Sequence, residues 1–323
     1  MANPVLIVAE HLKGELTEVT FEMLGLGRQL ADALQAPLWA LLMGEQVRAL
    51  AQHLAVADQV FLVEQSGLQL PSPDQAAAIV KAAIDAQPVS LVLVAGTNVS
   101  LGIGAVLAGR LGRPYVNFCK SVTVEAGSIL FTSQLFGGKI QADVKLPDAC
   151  GVVSVYPGAF PAGPGRREGQ PPIESLSLSA PSPMVQFKGY IEPETGDVDI
   201  TKQEVLVAVG RGIQSQDNLA IAEDLASALN GAVCASRPVI DQGWLPLSRQ
   251  VGKSGMNVKP RLYLALGISG APEHWEGMQG SQLIVAVNTD PKAPIFDGAH
   301  YGTTVDALDL VPILTEKVKA KKG

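Results

Sequence analysis

Apolar residues fall in short runs that alternate with longer amphipathic stretches, and this rhythm organises most of the chain. The runs at 4–9, 37–43, 59–63 and 90–95 are continuous in Val, Leu, Ile and Ala and read as buried strands. Between them, helical spacing covers 18–35, with Leu24, Leu26, Leu30 and Leu34 among its apolar positions. It recurs at 45–54, 73–86 and 101–112, the last stopped by Gly112-Arg113-Pro114. Strands alternating with helices predict βαβ units around a parallel sheet.

After Pro114 the pattern changes. Segments 120–125, 128–134, 139–145 and 150–155 are short, partly alternating and separated by glycine or proline. They predict antiparallel hairpins, with Gly137-Gly138 as one turn. The stretch 157–186 is dense in proline and glycine, so it predicts an irregular connection rather than a helix or central strand. Asp197-Val198-Asp199-Ile200 then leads into a second alternation. Its strands are expected at 204–209, 231–235, 262–267 and 282–288. Its helices are expected at 215–229, closed by Asn230-Gly231, at 271–278 and at 305–321, with a loop over 238–261. The expected fold is therefore α/β in two domains. Residues 1–190 form a parallel α/β sheet with an appended β-meander, and residues 191–323 form a doubly wound α/β domain.

Composition narrows the function. Of 323 residues, 47% are hydrophobic and only 5% aromatic, which suits parallel sheets covered by helices. The net charge of −7 argues against nucleic acid or an anionic membrane surface as the main partner. The basic run from Lys317 to Lys322 suits the C-terminal end of a helix. The three cysteines, 119, 150 and 234, have no CxxC spacing, which excludes a disulfide framework, a zinc site and a ferredoxin cluster. A reducing, cytoplasmic setting is expected. The chain enters a strand almost at once, so no cleavable signal is expected, and no apolar run reaches the roughly 18 residues of a membrane span.

Candidate chemistry gathers in the second half. In open α/β sheets ligands lie at the carboxyl ends of strands. Arg211, Ser236, Arg237, Ser269 and Asn288 all follow predicted strands. The Ser269-Gly270 turn before a helix can cradle a pyrophosphate with its backbone N–H groups, or simply cap that helix. It is not a GxGxxG fingerprint. Gly252-Lys253-Ser254-Gly255 lacks the upstream glycine of a phosphate loop, so a Walker motif is rejected.

The order of motifs is more specific than any one of them. Asp197-Val-Asp-Ile-Thr201, Val209-Gly-Arg-Gly-Ile213, Ser236-Arg-Pro238, Gly243-Trp-Leu-Pro246 and Arg249-Gln-Val-Gly252 come first. Gly267-Ile-Ser-Gly270, His274, Gly277-Met278, Asn288-Thr-Asp290 and Ala293-Pro-Ile-Phe296 follow. Together they resemble the electron transfer flavoprotein alpha subunit family, and Ile7-Val-Ala-Glu-His11 also fits it.

The resemblance implies a heterodimer with a homologous beta subunit and one FAD held mostly by the C-terminal domain. It implies an electron carrier between dehydrogenases and an acceptor such as a quinone reductase, rather than a stand-alone enzyme. Carried over by position, the FAD contacts are Arg211, Ser236, Arg237, the loop Gln250, Val251, Gly252, Lys253 and Ser254, and the turn Ser269, Gly270, Ala271, Pro272, Glu273 and His274. Asn288, Asp306 and Ala307 complete the set.

Each has a plainer reading. His274 either donates to a flavin carbonyl or fills space. Arg237, held extended before Pro238, either stacks on the flavin or forms a surface ion pair. Ser254 either meets flavin N5 or is a loop serine. Asp306 either holds a ribityl hydroxyl or caps the last helix. Cys234 reads as a buried small hydrophobe, and His11, His53 and His300 as structural. Three positions depart from the family pattern: Lys253 in place of Gln, Pro272-Glu273 in place of Ile-Gln, and His300 in place of an acid. Lys253 is expected to add a cation near the flavin. Two rival readings are a subunit of a bifurcating, NADH-oxidising complex and a homologue that has lost its flavin.

Overall fold

The computed structural model describes residues 3–125, 128–147, 150–178, 181–183, 185–190 and 197–322. The chain forms two compact units, Met1–Gly189 and Tyr190–Gly323. The expected start of the second domain, 191–196, lies outside the described residues.

The first unit is built on β1 (Val5–Ala9), β4 (Leu38–Gly44), β5 (Gln59–Glu64) and β6 (Leu91–Ala95). A two-residue pair, β2 (His11–Leu12) and β3 (Glu15–Leu16), leads into α1 (Glu18–Ala33); α2 (Pro73–Ala86) and α3 (Ile103–Leu111) follow. Ser72 starts α2 with a reciprocal capping box, and Gly112 ends α3 in the left-handed region. Strands β7 (Tyr115–Glu125), β8 (Ser128–Leu135), β9 (Ile140–Lys145), β10 (Gly151–Val155) and β11 (Ile173–Ser175) complete one sheet of order β11-β5-β4-β1-β6-β10-β7-β8-β9.

Three expectations need correction here. The segment at 150–155 is not a meander strand: β10 lies between β6 and β7 and runs parallel to both. Its residues Gly-Val-Val-Ser-Val are all buried, as a strand covered on both faces must be. The meander β7-β8-β9 is antiparallel but continues the sheet through β10. Residues 48–54 form a 3₁₀ segment instead of an α-helix. Among its described residues the proline-rich connection is irregular apart from a 3₁₀ turn at Gly163–Gly165 and β11, which adds a short edge strand to β5.

The second unit has strands β12 (Val205–Val209), β13 (Ala232–Ala235), β14 (Leu262–Leu266), β15 (Leu283–Val287) and β16 (Tyr301–Thr303). All pair in parallel, in the order β13-β12-β14-β15-β16. The helices are α4 (Leu219–Ala228), α5 (Arg237–Asp241), α6 (Pro272–Met278) and α7 (Ala307–Lys322). Alternate residues of β12 serve opposite faces. Val207 and Val209 pack with α4, α5 and α7, while Leu206 and Ala208 pack with α6 and the loops before and after it. Fully burying each such valine or leucine contributes roughly 1.5–3 kcal/mol. Strand β16 and helix α5 were not expected. Pro238 does not hold Arg237 extended: it occupies the first turn of α5, where a missing N–H costs nothing.

Candidate functional site

The order β13-β12-β14 reverses direction at β12, so the carboxyl ends of β12 and β14 flank the gap where α/β sheets take ligands. Glycines make that gap tight. Gly212 N–H donates to the Gly267 carbonyl at 3.0 Å, and Gly210 N–H to that of Leu266 at 2.8 Å. Gly267 has φ +62°, and a Cβ there would stand 2.6 Å from the Gly212 Cα. No other residue fits this crossing without moving backbone.

Above it opens a cleft of about 760 Å³, within the range of cofactor sites, about 300–1,000 Å³. Of the expected residues, Arg211, Ser236, Arg237, Gln250, Val251, Gly252, Lys253, Ser254, Ser269, Ala271, Glu273, His274 and Asn288 line it. Gly270, Pro272, Asp306 and Ala307 do not. Gly270 is the left-handed turn residue, with φ +82°, between two lining residues. Pro272 starts α6. Asp306 caps α7, its carboxylate accepting from Leu308 N–H at 2.9 Å, and Ala307 is buried beside it. Gly212, Pro238, Asp241, Gly267 and Ile268 also line the cleft and were not singled out. The Gly-x-Gly at 210–212 was the legible signal for part of that wall.

The loop 250–256 is held on several sides. Val251 N–H donates to the Ala235 carbonyl, Met256 N–H to the Gln250 carbonyl and Lys253 N–H to the Glu273 carbonyl. Gln250, itself buried, donates through Nε2 to Ser254 Oγ at 2.9 Å. Gly277 is needed where α6 meets this loop, since a Cβ there would lie 2.4 Å from Gly252 N. Just before the loop, Arg249 forms a largely buried ion pair with Asp197, Nη2 to Oδ1 2.5 Å, and donates from Nη1 to the Val233 carbonyl at 2.7 Å. Ser248 Oγ donates to the same carboxylate. Arg249 and these hydrogen bonds hold the Asp197 carboxyl down at about 2. Sequence reading treated both residues as motif members only; their contact spans a separation that no local pattern reports.

Charge in the cleft is mixed. Arg237 Nε pairs with Asp241 at 3.4 Å, and both side chains are mostly exposed. Lys253 Nζ pairs with Glu276 at 3.7 Å, so the cation expected at this position carries its own counter-charge. Asn288 braces the wall by donating from Nδ2 to the Ile268 carbonyl at 2.9 Å and accepting from Asp290 N–H. Trp244 and Trp275 both pack against the core. His11 and His300 have structural partners, the Met43 carbonyl and Ile284 N–H.

His274 is buried, and its Nε2 meets the Tyr263 hydroxyl at 2.9 Å. Burial pushes its pKa from 6.5 down to about 4, only partly offset by the Val251 backbone carbonyl. Its Nδ1 is enclosed and makes no well-formed hydrogen bond, although the Val251 carbonyl lies near the ring. An unsatisfied buried polar atom costs about 1–3 kcal/mol. A ring nitrogen left this way, a glycine-lined switch point and a cleft of this volume together fit a large polar cofactor.

Among the described residues there is no group of three or more metal-ligating side chains, and no helix is long and apolar enough to cross a membrane. Cys119, Cys150 and Cys234 are all unpaired thiols.

These features define an α/β protein whose second domain carries a cleft of dinucleotide size at its topological switch point. Comparison with known proteins is specific. The family described as electron transfer flavoprotein domain matches residues 5–181, and the electron transfer flavoprotein FAD-binding domain matches residues 199–279. The chain is 33% identical to Protein FixB of Clostridium saccharobutylicum, over 98% of this chain and 96% of that one. It is 32% identical to the electron transfer flavoprotein subunit alpha of Megasphaera elsdenii, over 99% and 97%. It is 31% identical to the lactate dehydrogenase (NAD(+),ferredoxin) subunit LctC of Acetobacterium woodii, over 99% of this chain and 78% of that one. The chain belongs to the electron transfer flavoprotein alpha subunit family. Its cofactor is FAD, and the family forms heterodimers with a beta subunit.

Proposed function

We propose that the protein is the alpha half of a cytoplasmic electron carrier. It holds FAD in the cleft above β12 and β14, pairs with a beta subunit through the first domain, and links a dehydrogenase donor to a quinone-reductase-type acceptor. The observation that carries this reading is the enclosed Nδ1 of His274, which makes no well-formed hydrogen bond, beside a glycine-built switch point. When bound, FAD supplies the electron acceptance and release. The chain's own residues bind and orient it and adjust its electrostatics. The Ser269–Ala271 turn offers backbone to the pyrophosphate. Arg211 brings positive charge to the pyrophosphate and Arg237 to the flavin ring, Ser236 and Asn288 offer polar atoms, and the Gln250–Ser254 loop closes over the ring. Gly270, Pro272 and Glu273 shape the turn. Asp306 and Ala307 reach the cofactor only through the start of α7.

The test is purification with the beta subunit, followed by flavin quantification. About one FAD per heterodimer is expected, lost when Gly267 is replaced. FAD retained at full affinity by a fragment ending before residue 190 would overturn the assignment.

A second reading, a subunit of an electron-bifurcating complex that oxidises NADH, is favoured by the likeness to LctC. Adding NADH to the purified heterodimer separates the two: prompt bleaching of flavin absorbance supports bifurcation, and none supports the simple carrier.

A further inference from the structure

Behind His274 stand two residues that neither line the cleft nor belong to the expected cofactor set. Tyr263, fully buried on β14, points its hydroxyl at His274 Nε2 from 2.9 Å. Cys234, fully buried on β13, lies near enough to that hydroxyl for the two groups to perturb one another. The two flank β12 on one face of the sheet: Leu206 pairs with Tyr263 and Ala208 with Cys234. Ala208, level with Cys234, carries only a methyl group.

The direction of each hydrogen bond follows from the groups themselves. A phenol O–H is a good donor and an imidazole lone pair a good acceptor, whereas a phenol oxygen accepts poorly from a ring N–H. Burial pushes the Cys234 thiol up to about 12, so the sulfur keeps its proton and can donate it to the Tyr263 oxygen. Each group then plays its better role when the thiol donates to the phenol and the phenol donates to Nε2. The ring's single proton must sit on Nδ1, the enclosed atom with no well-formed hydrogen bond.

We propose that Tyr263, oriented by the Cys234 thiol, is a positioning residue that fixes His274, a residue of the cofactor cleft, as the Nδ1–H tautomer, so that its one ring N–H has a set direction. This rests on the cofactor reading given above for its purpose, but not for its geometry. A second proton can reach Nε2 only by breaking the Tyr263 hydrogen bond. His274 therefore acts as a neutral dipole.

The experiment is a long-range proton–nitrogen correlation spectrum of the heterodimer labelled in its histidine rings, recorded with FAD and after its removal, with His274 assigned by its loss in His274→Asn. The wild type should show a protonated Nδ1 and a bare Nε2. Tyr263→Phe should move the ring toward the Nε2–H form and lower the bound flavin's midpoint potential toward that of His274→Asn. Cys234→Ala should give a smaller shift in both readouts. A protonated Nε2 in the wild type would overturn the proposal. So would Tyr263→Phe with unchanged tautomer and potential. Should Tyr263→Phe fail to fold, the wild-type spectrum and Cys234→Ala decide, and an unchanged tautomer balance in Cys234→Ala then counts against it. An Nδ1–H ring in a chain that binds no FAD would sink the cofactor reading while leaving the tautomer assignment standing.

Discussion

The two units solve the same problem at their switch points in opposite ways. In the first, β1 and β6 are neighbours in a parallel sheet that runs out to either side of them. The gap beyond their ends is filled by Glu10, whose buried carboxylate accepts from Thr97 Oγ1 and, at 2.5 Å, from Ser100 Oγ. What remains is a cavity of about 40 Å³. In the second unit the corresponding ends carry Gly210, Gly212 and Gly267, and a cleft of about 760 Å³ stands open. Parallel topology provides the place for a ligand; the two or three residues after each strand decide whether the chain fills that place itself.

The sharpest way to break the contrast is to put a side chain where the open site needs none. Gly267→Ala forces a non-glycine residue to φ +62° with its Cβ 2.6 Å from backbone. Strain and overpacking together should cost about 3–5 kcal/mol. The expected outcome is a lower Tm of the second unit and no FAD after desalting.

His274 offers a pH test on the FAD-free chain. Its pKa is depressed in the folded state, to about 4 from 6.5. Its contribution is therefore intact above pH 6.5 and is lost as pH falls from there toward 4, where the unfolded chain binds the proton more readily. At 1.36 kcal/mol per pKa unit the loss approaches about 3 kcal/mol. Urea unfolding across that window should show a shallower acid slope for His274→Gln than for wild type; equal slopes would contradict the burial argument.

Unplugging the first unit should be milder. Glu10→Ala strands the Thr97 and Ser100 hydroxyls, which costs about 1–3 kcal/mol. Chemical denaturation should report that loss, while FAD content of the heterodimer stays at the wild-type level. A fall in FAD content would mean the filled site matters to the open one.

The smallest stability effect belongs to Arg237→Ala. Its pair with Asp241 is mostly exposed, so less than about 1 kcal/mol should be lost. The bound flavin's potential should nonetheless fall, because a cation beside the ring favours an added electron. A redox titration with unchanged potential and FAD still bound would remove Arg237 from the site.

The βαβ rhythm was legible because buried parallel strands are short, apolar and flanked by amphipathic helices, and this holds for β1, β4, β5, β6, β12, β14 and β15 alike. What escaped was pairing at a distance. The run Gly151-Val-Val-Ser-Val155 is continuous in apolar character, which is the mark of a strand covered on both faces, yet its place after three hairpin strands suggested a fourth. The strand-end residues Arg211, Ser236, Ser269 and Asn288 could be read one by one. The Asp197–Arg249 clamp and the Tyr263 hydroxyl behind His274 could not, since each joins segments with no shared periodicity. Pro238 misled because a proline that discourages helix before it also starts a helix well.

Strand β10 carries a consequence for how the first unit is assembled in time. Synthesis yields β6, which pairs with β1, and then the hairpins of β7 to β9 before β10 exists, but β7 joins β6 only through it. The hairpins are local and close quickly, whereas the two parallel pairings of β10 span long loops and come late. Until residues 151–155 seat themselves, one edge of β6 stays open and the meander has nothing to join. Pulsed hydrogen exchange during refolding would register this as late protection at Val152 and Val153, after the amides of β8. Five residues thus act as the latch that turns two separately formed pieces into one sheet.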